Sequence, residues 1–119
     1  MLAAANRLSD RRDFLLVARR GHRSGREPLV LQFVTDGRAP ERAPRVGFVV
    51  GRSVGTAVDR NRVKRRLRHL VRAHLERLPA GGMLVVRANA AAAGSSWDTL
   101  AAEFDRALSR VLQRAGGTT

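Results

Sequence analysis

One stretch constrains this chain more than any other. An apolar run, RVGFVVG at 45–51, leads into SVGTAVDRNRVKRRLRHLVRAHLERL at 53–78, and a second apolar run, MLVVRA, follows at 83–88. The two flanking runs are short and rich in β-formers, so they read as strands. Between them Val63, Leu67, Leu70, Val71, His74, Leu75 and Leu78 recur at helical spacing on one face. Thr56 with Asp59 three residues on resembles a capping box, which starts the helix. Pro79 and Gly81-Gly82 stop it. A helix with one apolar stripe must bury it, and the nearest partner is the sheet its own flanking strands build. Residues 45–88 are therefore expected to form a strand–helix–strand unit within one sheet.

The remainder extends that frame. Residues 9–20 read as a short helix, capped by Ser9 or Asp10, with Phe14, Leu15, Val17 and Ala18 as apolar positions and Gly21 as its end. Residues 22–26 are polar and fit a short edge strand. LVLQFVT at 29–35 is a strand bounded by Pro28 and Asp36-Gly37, and residues 37–44 form a loop. After a small-residue loop at 89–96, Ser95 or Ser96 opens a last helix. Its stripe is Trp97, Leu100, Ala101, Phe104, Leu108, Val111 and Leu112. Residues 116–119 read as a frayed tail. The order is helix, two or three strands, helix, strand, helix. With 119 residues there is material for one core and one domain, expected over 1–115.

Charge points to the partner. The chain carries 23 basic and 10 acidic residues, a net charge of +13. Residues 45–77 hold ten basic and two acidic groups, against nine and five in 1–44 and four and three in 78–119. On a helical wheel at roughly 100° per residue, Arg62, Arg65, Arg66, Arg68, His69 and Arg72 fall opposite the apolar stripe. Like charges three and four apart destabilise an isolated helix. A polyanion that neutralises them relieves the conflict, and nucleic acid is the default polyanion. Of the basic residues only Lys64 is not Arg, which suits bidentate phosphate contacts, although an Arg- and Ala-rich composition also favours Arg over Lys. The loop Gly51-Arg52-Ser53-Val54-Gly55-Thr56 brings backbone N–H groups to a helix start. It lacks the spacing of a Walker A loop.

No protein active site is readable. The ten carboxylates are scattered, and His69 and His74 stand about 140° apart around a helix, which excludes a same-face metal pair. His74 belongs with the apolar stripe. There is no cysteine, which fits a cytoplasmic location and removes thiolate chemistry. No segment approaches the roughly 20 apolar residues of a membrane span, and 57–77 lacks the aromatic-rich apolar face of a membrane-surface helix.

The segment Ala57-Val58-Asp59-Arg60-Asn61-Arg62-Val63-Lys64-Arg65-Arg66-Leu67-Arg68 resembles the signature of the bacterial ribonuclease P protein family, an Arg-Asn-Arg core followed by an aliphatic residue, Lys and Arg. The likeness extends outward through Asn6-Arg7-Leu8, Asp13-Phe14, Gly21, Leu29-Val30-Leu31 and Arg45-Val46-Gly47-Phe48, and covers about residues 6–114. It implies an α+β fold, an α/β sandwich of αβββαβα order, ribosomal-protein-like, with a left-handed strand–helix–strand crossover. Handedness rules alone predict a right-handed one. It also implies the function: an accessory subunit of a ribonucleoprotein endonuclease that removes the 5′ leader of precursor tRNA. In that family the RNA subunit performs the hydrolysis with Mg²⁺, bound mainly by RNA and substrate.

By the same resemblance, Arg60, Asn61, Arg62, Lys64, Arg65, Arg66, Arg68 and Arg72, with Arg52 and Arg45, are expected to contact the catalytic RNA. Phe14, Val30 and Gln32 are expected to line the cleft for the single-stranded leader, Phe14 by stacking on a base. From the residues alone, core packing of Phe14 is an equal alternative. The chain departs from the family pattern at Ala18 and Gln32, where aromatics are common, at Arg52-Ser53 in place of Lys-Lys, and at Thr56 in place of a Lys. Weaker aromatic stacking in the cleft follows.

Partners are thus expected to be the catalytic RNA and the precursor tRNA leader, with neither DNA nor membrane. A ribosomal or other structured-RNA-binding protein without a role in catalysis shares the charge and size. A protein nuclease with its own metal site is the reading from another class. Self-repulsion at +13 has a direct consequence. Added sulfate or phosphate should raise the melting temperature by several degrees, because anions bind the folded basic surface preferentially; a melt indifferent to both anions would refute this.

Overall fold

The computed structural model describes residues 2–116, so the tail expected at 116–119 lies outside the described residues apart from Gly116. Its elements run α1 (Arg11–Arg20), β1 (His22–Gly25), β2 (Leu29–Thr35), β3 (Arg45–Val50), α2 (Ala57–His74), β4 (Gly82–Ala88) and α3 (Trp97–Ala115), with short 3₁₀ turns between them. This is the expected αβββαβα order. The four strands form one sheet in the order β1-β2-β4-β3. β2 pairs antiparallel with β1 and β4, whereas β3 runs parallel to β4, from Arg45↔Met83 to Val50↔Ala88.

The order explains the composition of each strand. β2 and β4 are central and covered on both faces, so they read as near-continuous apolar runs. β1, HRSG, is an edge and is largely exposed. The other edge, β3, is partly covered by the N-terminal segment: Arg7 bridges Val46, and Leu8 N–H donates to the Val46 carbonyl at 2.9 Å. Covering an edge in this way removes a template for unwanted strand pairing.

Each sheet face has its own apolar cluster. On one face Leu29, Leu31, Phe33, Val46, Leu84 and Val86 pack against α2, through Val63, Leu67, Leu70 and Val71, and against α3, through Leu100, Phe104, Leu108 and Val111. On the other, Met83 and Val85 meet Val17 of α1 and Leu8. α1 rests on little: Val17 is its only buried residue, and Leu15, an expected apolar contact, is 47 % exposed.

Phe14 and Leu16 of α1 add partly buried contacts to that cluster, and charge also ties the helix to the sheet. Arg45 at the start of β3 is 5 % exposed and donates to Asp13 of α1 at 2.8 Å, with Asp36 at 3.6 Å. Arg38 in the β2–β3 loop adds a second cation, 3.1 Å from Asp36 and 3.9 Å from Asp13. Arg38 holds the Asp36 carboxyl below the ordinary carboxylate range, first through its side chain and then through its backbone N–H, with Arg45 adding charge. Arg45 was expected to contact RNA. The structure corrects this: its guanidinium is buried and already neutralised by two carboxylates that lie 32 and 9 positions away in the chain.

Breaking a buried ion pair strands its partners without compensation. Arg45→Ala should therefore lower stability by about 3–5 kcal/mol in denaturant unfolding, while the RNA affinity of the folded fraction stays near the parent value. Loss of affinity without loss of stability would return Arg45 to the interface.

Candidate RNA interface

α2 begins on a firm cap. Asp59 accepts hydrogen bonds from the Thr56 N–H and hydroxyl, both at 3.0 Å, and its own N–H donates to the Thr56 hydroxyl oxygen at 3.2 Å. The Thr56 N–H, then its hydroxyl, and then the nearby Arg62 charge hold the Asp59 carboxyl below its usual range. Gly55 makes this possible: at φ +145° it adopts a backbone that side chains avoid, and a Cβ there would lie 2.9 Å from Asp59 Cβ. The cap thus sets where the basic helix starts and keeps a carboxylate ionised beside it.

The cations of α2 point three ways. Asn61, Arg65 and Arg72 are exposed on the outer side, with Arg52 in the preceding turn. Arg62 and Arg66 lean toward the turn before α3, donating to the Ala93 carbonyl at 3.3 Å and the Ser95 carbonyl at 3.2 Å. These carbonyls orient the guanidinium groups without cancelling their charge. Lys64 and Arg68 lean the other way, into a groove against α1 and β3. Arg60 is half-buried, and its Nε has no hydrogen-bond partner among the described residues. Among the expected RNA contacts on α2, Arg62 alone has a carboxylate within 4.0 Å among the described residues, Asp59 at 3.6 Å.

The groove holds about 460 Å³ and is lined by Phe14, Leu8, Phe48, Gly47, Lys64 and Arg68, with Leu2, Arg7, Ser9 and Val46 completing its wall. Phe14 is half-buried and lies over β3 because residue 47 is glycine. A Cβ at Gly47 would approach Phe14 Cε1 to 2.6 Å. Phe14 therefore forms part of the wall and keeps ring surface toward the groove. Val30 and Gln32 do not join it. Their register with Arg87 and Val85 puts them on the α1 side of the sheet, as the alternation requires, but they are only 5 % and 7 % exposed. Both positions are therefore closed off, whereas Phe14 is only half-buried. The expectation that they line an open cleft with Phe14 is thus corrected. Arg7, Leu8 and Phe48 take that place; their only signal in the sequence was the flanking resemblance.

Among the described residues no three His, Cys, Asp or Glu side chains converge to hold a metal ion. No helix among them is long and apolar enough to cross a membrane. His74 packs beside Phe104, ring centroids 5.5 Å apart, as its place on the apolar stripe indicates.

Comparison with known proteins agrees with this geometry. The family model described as Ribonuclease P matches residues 2–112. The ribonuclease P protein component of Nocardioides sp. is 50% identical over 111 residues, covering 93% of this chain and 95% of that protein. The one from Acidothermus cellulolyticus is 51% identical over 114 residues, covering 95% and 93%. Among solved structures, the RNase P protein of Thermotoga maritima superimposes with a TM-score of 0.69 at 30% identity, covering 85% of this chain and 93% of that one. The Staphylococcus aureus RNase P protein shares the fold, with a TM-score of 0.78 at 23% identity, covering 88% and 94%. A capped helix with the Arg-Asn-Arg core, set between parallel strands of a four-stranded sheet, thus comes with sequence likeness over nearly the whole chain, and the chain belongs to the ribonuclease P protein family.

Proposed function

We propose that this chain is the protein subunit of ribonuclease P, working in the cytoplasm to support removal of the 5′ leader from precursor tRNA. The observation that carries this reading is the outer surface of α2. Arg65 and Arg72 are exposed there, flanked by Arg66 on one side and by Lys64 and Arg68 on the other, and none of the five has a carboxylate within 4.0 Å among the described residues. Such a row fits the phosphates of a folded RNA, and the partner assigned to it is the RNase P RNA. Asn61 and Arg52 extend the same surface.

The Phe14 groove is assigned to the single-stranded leader. It offers an aromatic wall for a base, and Lys64 and Arg68 for the adjoining phosphates. Both surfaces share α2, so one rigid helix would set the position of the leader relative to the catalytic RNA. Phosphodiester hydrolysis is assigned to the RNA with Mg²⁺ held by RNA and substrate. The protein's role is to replace part of the counterion atmosphere with fixed positive charge, which lowers the Mg²⁺ needed for assembly and substrate binding.

Cleavage of a 5′-extended precursor tRNA at low Mg²⁺ tests this, using RNA alone, protein alone and both. Only the combination should cleave well. Arg62→Ala with Arg65→Ala should abolish most of the gain and lower the slope of log affinity against log salt by about 0.7–0.9 per cation removed. Cleavage by the protein alone would reveal a protein active site. A protein that adds nothing would be an RNA-binding protein of another assembly.

The groove has its own test. Gly47→Ala should push the Phe14 ring aside, since the far end of that side chain is what the new methyl group meets. Gly47→Ala and Phe14→Ala should each weaken leader-bearing substrate by roughly five-fold or more, the loss of one stacked base. Mature tRNA without a leader should bind as before. Equal losses for both ligands would show that the groove does not read the leader.

A further inference from the structure

Trp97 falls on the stripe that buries Leu100, Phe104 and Leu108, yet it is 38 % exposed. It opens α3 and meets His69 of α2. Its ring lies edge-on to His69, with centroids 5.4 Å apart and planes at 69°. Arg65 and Arg66, one turn before His69, complete a shallow depression of about 290 Å³ around the indole.

The surroundings of this aromatic are specific. The Ser95 carbonyl holds the Arg66 guanidinium at 3.2 Å, just ahead of the Ser96 cap of α3. Arg65 is exposed, and among the described residues neither arginine has a carboxylate within 4.0 Å. An accessible indole flanked by two unneutralised guanidinium groups combines a planar apolar surface with phosphate donors. That combination recognises an unpaired nucleotide: the base stacks and the phosphates meet the cations. A continuous duplex offers only phosphates, because its bases are already stacked on one another.

The site is separate from the Phe14 groove. Lys64 and Arg68 turn toward that groove, whereas Arg65 and Arg66 border the indole. Resting on the reading that α2 binds RNA, we propose that Trp97, backed by His69 and rimmed by Arg65 and Arg66, is a stacking site for one unpaired nucleotide of that RNA. α2 then carries a nucleotide site on each flank, and its orientation on the RNA is fixed by stacking as well as by charge.

Trp97 is the only tryptophan and there is no tyrosine, so tryptophan emission reports on this site alone. The full chain is titrated with RNase P RNA, following emission and, in parallel, binding on filters. Trp97→Leu preserves an apolar contact without an aromatic face, and Trp97→Phe restores a face; circular dichroism and melting verify that both are folded. The expected result is quenched emission, a loss of about five-fold or more in affinity for Trp97→Leu, and recovery for Trp97→Phe. Unchanged emission, or quenching with parent affinity in Trp97→Leu, overturns the site. If Arg62→Ala with Arg65→Ala still weakens binding in that case, the α2 interface stands without it. If none of these variants changes affinity, the α2 reading falls as well.

Discussion

Burial of Val63, Leu67, Leu70 and Val71 against the sheet is the contact that the basic helix depends on. Fully burying four such side chains contributes about 6–12 kcal/mol before entropy is counted. Repulsion between like charges three or four apart costs only about 0.2–0.5 kcal/mol per pair. Anchoring therefore outweighs repulsion, and α2 can hold its cations in a fixed array. The capping box at Thr56 and Asp59 sets the first turn of that array without occupying its outer face.

The opposite face of the sheet is held differently. α1 buries one side chain fully, Val17, and is secured by the Arg45, Asp13, Asp36 and Arg38 cluster. A helix that buries only one side chain fully leaves apolar surface beside it, and the Phe14 groove occupies that space. An α1 packed as tightly as α3 would close it. The charges that join α1 to the sheet and those on α2 thus differ, the first being neutralised within the chain and the second left largely without carboxylate partners among the described residues.

Much of this was legible in the residues. The element order followed from periodicity and turn residues, and the basic amphipathic helix from an apolar stripe opposite a row of arginines. What stayed hidden were pairings across long stretches of chain. Arg45 looks like any other arginine of the basic segment until folding brings Asp13 and Asp36 beside it. Val30 and Gln32 alternate correctly, but only the packed fold shows that both are covered. Trp97 fits the α3 stripe by spacing, yet it meets His69 of α2 and stays 38 % exposed. Periodicity assigns a residue to a face; it cannot tell what lies opposite.

The strand order has a consequence for how the chain is made. β4 lies between β2 and β3, yet it leaves the ribosome after both of them and after α2. Until Ala88 has emerged, the strand that joins β2 to β3 is missing and the bed of α2 is incomplete. Parallel pairing across such a crossover is slow compared with local contacts. The nascent chain therefore exposes its most basic segment before that segment has a fixed shape, in surroundings full of RNA. The basic helix gains its full bed only when β4 joins β2 to β3, so folding is the step that turns a loose run of charge into an ordered array.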